Sequence, residues 1–103
     1  MADILVRIKR AVLAGRYFFS DKARTEMQAD RITELDVVES IANAVAIYKK
    51  LRTRRPGMIG PREYLYVIHG TNLEGLTIYT KGKLVRREGA ETYYFLISSK
   101  RAE

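Results

Sequence analysis

The chain reads as an α+β domain with N-terminal helices packed on one face of a mostly antiparallel sheet, and three observations predict this. Apolar residues recur at helical spacing up to about residue 46. Runs rich in Tyr, Ile, Val, Thr and Phe, separated by short turns, fill most of the remainder. The length of 103 residues suits a single domain spanning 1–103, for which helices on one sheet form a sufficient two-layer core.

The elements follow in order. Ile4, Leu5, Ile8, Ala11 and Val12 line one stripe of a first helix that starts near Asp3 and stops at Gly15, a residue suited to a left-handed C′ position. Ser20 caps a second helix over Asp21–Ala29, with Ala23 and Met27 facing inward and Phe18 or Phe19 packing before it. Thr33 and Asp36 form a capping-box pair. A third helix runs from there to about Ala46, with Leu35, Val38, Ile41, Ala42 and Val45 on its apolar stripe.

Beyond residue 46 the period changes to that of strands. Ile47–Arg52 reads as a short strand, and Thr53–Pro61 as a loop punctuated by Pro56, Gly57, Gly60 and Pro61. Three strands are expected at Glu63–His69, Leu76–Val85 and Thr92–Ser99. The turns at Thr71–Gly75 and Glu88–Glu91 are short enough for hairpins. Alternation places Thr77, Tyr79 and Lys81 on the face away from the helices. On the last strand Tyr94, Leu96, Ser98 and Lys100 share a parity, and on the first Lys49 falls with the apolar Ile47 and Leu51, so its stem is buried or the strand is an edge.

Composition excludes several classes. Hydrophobic residues make up 47% and charged residues 30%, too apolar for a disordered tail. There is no cysteine and one histidine, which removes disulfide scaffolds, thiol nucleophiles and zinc–thiolate sites, so no metal or cofactor is expected. No apolar run approaches the ~18 residues of a membrane span, and the mixed-charge N-terminus is unlike a signal peptide, so the expected location is cytoplasmic.

Charge is distributed unevenly. Residues 1–48 carry seven bases and seven acids, whereas the rest carries 12 bases and 5 acids, the whole +7 excess. Lys49, Lys50, Arg52, Arg54, Arg55 and Arg62 form one cluster, and Lys81, Lys83, Arg86 and Arg87 a second. Charge runs are usually solvated faces, but a one-sided excess on a small domain favours a polyanion, most often nucleic acid. Tyr64, Tyr66, Tyr79, Tyr93 and Tyr94 offer rings for unstacked bases.

Hydrolytic motifs are missing: His69 has no nucleophile elbow near it, and there is no Walker loop or acidic metal motif. RNA cleavage needs none of these, because the 2′-hydroxyl is an internal nucleophile beside the phosphorus. Such an enzyme positions the strand, stabilises charge with Lys or Arg and moves protons through an ionisable group. His69 is the residue type whose ordinary pKa lies near neutrality, hence a candidate acid or base, or else a structural residue at a strand end. Lys49 beside Lys50, and Lys100 beside Arg101, have cationic neighbours of the kind that lower a lysine pKa.

The order of elements resembles the small ribonuclease toxins of the RelE-like superfamily, most of all the motility quorum-sensing regulator type of mRNA interferase. The likeness rests on Ile8-Lys9-Arg10-Ala11-Val12-Leu13-Ala14-Gly15-Arg16, on Ile47-Tyr48-Lys49-Lys50, on Thr77-Ile78-Tyr79-Thr80-Lys81 and on Ile97-Ser98-Ser99-Lys100. Lys22-Ala23-Arg24-Thr25-Glu26-Met27 and Ile32-Thr33-Glu34-Leu35-Asp36-Val37 also resemble a related uncharacterised bacterial family, with Lys22 where that family has histidine.

The resemblance implies a metal-independent endoribonuclease acting on single-stranded RNA. Lys49 and Lys100 would stabilise phosphate charge and Tyr79 would orient the phosphate or transfer a proton, with His69 a lesser candidate for that transfer. Lys50, Arg52, Arg54, Arg55, Arg62, Lys81 and Lys83 would hold the flanking strand. The glutamine expected in Glu63–His69 is missing; either His69, Tyr66 or Arg62 substitutes, or activity is weak or absent. A neutralising antitoxin from a neighbouring gene, often of zinc-finger type, is the implied protein partner. The rival expectations are a non-catalytic RNA-binding or partner-binding module and a small subunit that pairs through an exposed strand edge.

Overall fold

The computed structural model describes residues 3–52, 63–87 and 91–102. Its elements are α1 (Ile4–Leu13), β1 (Tyr17–Phe19), α2 (Asp21–Asp30), α3 (Glu34–Asn43), β2 (Lys49–Arg52), β3 (Tyr64–Thr71), β4 (Thr77–Arg87) and β5 (Glu91–Arg101). The expected α+β class holds: the helices lie on one face of a sheet ordered β1-β5-β4-β3-β2, antiparallel except for the β1–β5 pair. None of the described helices is long and apolar enough to cross a membrane. Arg54, Arg55 and Arg62, together with the loop expected at Thr53–Pro61, lie outside the described residues.

Local sequence sets the helix ends. Asp3 caps α1, and Gly15 follows the Ala14 C-cap at φ +79°, a conformation that glycine reaches without strain. The Ser20 Oγ accepts from the Ala23 N–H at 3.0 Å to start α2. At α3 the Thr33 Oγ1 accepts from the Asp36 N–H (3.1 Å), and the Asp36 carboxylate accepts from the Thr33 N–H (2.9 Å). This is the reciprocal box expected.

The core joins Leu5, Ile8, Ala11 and Val12 of α1, Ala23 and Met27 of α2, and Val37 and Ile41 of α3 to Tyr66, Ile68, Ile78, Tyr94 and Leu96 of the sheet. Each large aliphatic side chain fully buried there contributes about 1.5–3 kcal/mol relative to exposure. Lys9 ties α1 to the end of α3, donating to the Ala42 and Ala44 carbonyls at 3.0 and 2.6 Å.

Several expectations are corrected. The third helix ends at Asn43, not Ala46, and turns its stripe to Val37, Ser40 and Ile41, leaving Leu35 63% and Val45 96% exposed. The cause is a close approach at Gly70, where any Cβ would meet the Ser40 carbonyl. The helix therefore sits on β3 through Ser40. Tyr17–Phe19, expected only to pack before α2, is a strand paired in parallel with Tyr94–Leu96. The expected Ile47–Arg52 strand begins at Lys49, and the last three strands each run beyond the limits expected, to Thr71, Arg87 and Arg101.

Past Phe19, where β1 stops, α2 takes over the edge of β5. The Ser20 N–H donates to the Leu96 carbonyl (2.9 Å) and its hydroxyl to the Ile97 carbonyl (2.8 Å). Glu26 Oε1 accepts from the Ser98 hydroxyl (2.7 Å) and the Ser99 N–H (3.2 Å), and Asp30 Oδ2 from the Arg101 N–H (2.9 Å). Edge donors that would otherwise template another strand are thus satisfied from within the chain.

Candidate functional site

The helices cover one sheet face, leaving the other for side chains of opposite parity. Cross-strand pairing sets them in rows on this open face: His69 opposite Tyr79 opposite Lys100, and beside it Lys49 opposite Val67 opposite Lys81. Residues two apart along a strand are separated by about 6.6 Å, so the rows are adjacent.

The first row is in contact along its length. Tyr48 stacks on His69 with centroids 4.1 Å apart and planes at 13°, His69 and Tyr79 are 5.6 Å apart, and Lys100 Nζ lies 5.3 Å from the Tyr79 ring centroid. His69, Tyr79 and Lys100 line a shallow groove of about 490 Å³ together with Asp30, Arg101 and Ala102.

Both ends of this row depend on irregular pairing. On β5 the register slips between Lys81 and Gly82, so that Gly82 faces Leu96 while Lys81 faces Ser98 and Ile97 is the extra residue. Strict alternation groups Lys100 with Leu96. The slip corrects this, since Leu96 is fully buried among the helices whereas Lys100 is exposed over Tyr79. Bulges of this kind re-aim side chains and are frequent beside active sites.

At the start of β2 the Tyr48 N–H donates to the Val67 carbonyl at 2.9 Å although Val67 is already paired with Lys49. Two consecutive residues thus stand against one, and the Tyr48 ring comes to lie on His69, 66% exposed. Tyr48 is the member of this row that sequence reasoning missed. Its signal was its place next to Lys49 in Ile47-Tyr48-Lys49-Lys50.

The remaining candidates separate. Lys49 is exposed and lies on the edge strand, which settles its alternative environments in favour of the edge. Lys50 and Arg52 pair with Tyr66 and Tyr64 on the helix-side parity, where Lys50 Nζ lies 4.1 Å from the Tyr64 centroid. Lys81 and Lys83 share the open face, and Lys83 bonds Glu63 at 3.1 Å. Two of the expected base-stacking rings are unavailable: Tyr66 and Tyr94 are buried in the core. Burial pushes the Tyr94 phenol well above its ordinary pKa.

The Glu26 carboxylate, which braces β5 from α2, is held ionised. For Glu26, burial acts to raise the pKa, but the bonds from Ser98, the Ser99 N–H and Lys22 outweigh it, leaving the value below the ordinary range. No cluster of three His, Cys, Asp or Glu side chains able to hold a metal occurs among the described residues.

Chemically, the groove combines an imidazole, a phenol, two cations, Lys100 and Arg101, and the Asp30 carboxylate. It can hold a phosphate and move a proton. Compared with protein-family models, curated proteins and solved structures, the chain matches none.

Proposed function

We propose that the protein is a toxin-like endoribonuclease, an mRNA interferase that cleaves single-stranded RNA by 2′-hydroxyl attack without a metal. The observation that carries this reading is the convergence of His69, Tyr79 and Lys100 in one groove on the open sheet face, bordered by Asp30 at the end of α2.

In this mechanism the scissile phosphate sits beside Lys100, with Lys49 and Lys81 of the adjacent row on neighbouring phosphates. His69 takes the proton of the 2′-hydroxyl as its oxygen bonds to phosphorus. Lys100 offsets the charge that builds on the non-bridging oxygens. The bond from phosphorus to the 5′-oxygen breaks, and the Tyr79 hydroxyl supplies the proton to that leaving oxygen. A 2′,3′-cyclic phosphate and a 5′-hydroxyl result. Proton transfer contributes about 10²–10⁴-fold to such reactions, and one well-aimed charge-stabilising donor about 10²–10³-fold.

Incubation of the purified protein with a defined single-stranded RNA and its 2′-deoxy counterpart, without added metal, tests this. Scission of the RNA alone, with cyclic-phosphate ends, is expected. Cleavage of both strands, or of neither, would overturn the reading.

A second reading is a non-catalytic RNA-binding module. It is favoured by the Tyr48–His69 stack, which covers one imidazole face and resembles a base-stacking platform. In either case a cytoplasmic location suits an RNA partner. A neutralising antitoxin from a neighbouring gene would act by covering the open face.

A further inference from the structure

A second aromatic and cationic cluster occupies the other end of the open face. Phe18 of β1 stacks on Phe95 of β5 with centroids 4.6 Å apart and planes at 18°, and Tyr93 meets Phe18 edge-on at 6.3 Å. The Arg87 guanidinium lies 4.8 Å from the Phe18 centroid and 5.6 Å from that of Tyr93. Pairing assigns the face: Phe95 is opposite Lys83 and Tyr93 opposite Val85, which share the parity of Tyr79 and Lys81.

These rings are not part of the core, which lies on the other side of the sheet. Lys83 stands four positions after Tyr79 on β4, about 13 Å along the strand. The exposed Arg87 therefore stands farther along the same face than one phosphate at Lys100 could reach. Lys81 lies between the two clusters.

We propose that this cluster is a second nucleotide subsite, in which an unpaired base of the RNA strand held at the groove stacks on Arg87 and Tyr93. The assignment rests on the RNA reading above. Guanidinium planes and aromatic rings both stack unpaired bases without sequence readout, and the cationic path between the clusters suits a phosphate backbone. Continuity along one basic face favours a nucleic-acid strand over an apolar protein surface.

The test measures binding of single-stranded RNA carrying 2′-O-methyl groups throughout, which blocks 2′-hydroxyl attack. A trinucleotide and a strand long enough to span both clusters are compared. The long strand is expected to bind the unaltered protein more tightly. Arg87→Glu should weaken the long strand about tenfold or more and leave the trinucleotide unchanged. Arg87→Lys, which keeps the charge and loses the plane, should fall between, and Tyr93→Leu should reproduce the length-selective loss. The subsite is refuted if long and short strands weaken equally, if neither weakens, or if the unaltered protein does not favour the longer strand. Cleavage of unmodified RNA is scored separately. Cleavage without length dependence refutes the subsite alone, and length dependence without cleavage refutes the chemistry alone.

Discussion

Lys100 lies over the ring of Tyr79, its Nζ 5.3 Å from the centroid, on the face of the sheet opposite to Leu96 four residues earlier in the same strand. A regular strand would turn both residues to one side. One extra residue, Ile97, separates their environments. The site is therefore a product of register as much as of residue identity.

The chemistry assigned to the row makes its variants separable. Lys100→Ala and His69→Gln should each lower kcat/KM on a defined RNA by about 10²–10³-fold. Tyr79→Phe should fall short of that loss, because water can protonate the leaving oxygen. The double variant should lose far less than the product of the single losses, as groups acting on one transition state do. Thermal melting should be unaffected by Lys100→Ala, since that side chain is exposed.

The clamp of α2 on β5 and the capping box of α3 give a pH signature. Glu26 and Asp36 both have folded-state pKa values below their ordinary 4.5 and 3.8. For Asp36 the Thr33 N–H is the main cause, with Asn72 and the Thr33 hydroxyl adding to it against desolvation. A depressed carboxyl stabilises the fold fully above its unfolded pKa, and the contribution is lost as pH falls through the folded value. Melting temperature should therefore drop below pH 4.5, and Glu26→Gln should flatten that drop. Glu26→Ala should cost about 1–3 kcal/mol at neutral pH, by leaving the Ser98 hydroxyl and Ser99 N–H unpaired.

Gly70→Ala tests the seating of α3. The added methyl would strike backbone, the Ser40 carbonyl, and cannot be relieved by a rotamer change. A loss of about 1–3 kcal/mol is expected by denaturant unfolding. Gly15→Ala meets no atom and should cost less, through its positive φ alone.

Salt dependence tests the second row. Lys49→Ala and Lys81→Ala should each weaken RNA binding across sequences and reduce the log–log salt slope by about one. Lys50→Ala, on the other face over Tyr64, should leave the slope unchanged.

Much of the fold was legible because it is local. Ser20, the Thr33–Asp36 box and Gly15 act within a turn of chain, and each performs the role its sequence context suggests. What was not legible depends on distant partners. The three residues of β1 become a strand because Tyr94–Leu96 receives them, and the α3 stripe is turned by a glycine some 30 residues later in the chain. The same holds at the candidate site. His69, Tyr79 and Lys100 were named from sequence, but alternation grouped Lys100 with Leu96 and overlooked Tyr48, because a bulge is fixed by two strands together.

On the proposed reading, RNA lies on the open face with a phosphate at His69, Tyr79 and Lys100. Titration of the isotopically labelled protein with a 2′-O-methyl single strand, followed by NMR chemical shifts, tests it most directly. The largest shifts are expected at Tyr48, His69, Tyr79 and Lys100. Shifts concentrated instead at Lys50, Arg52, Tyr64 and the helices would contradict it.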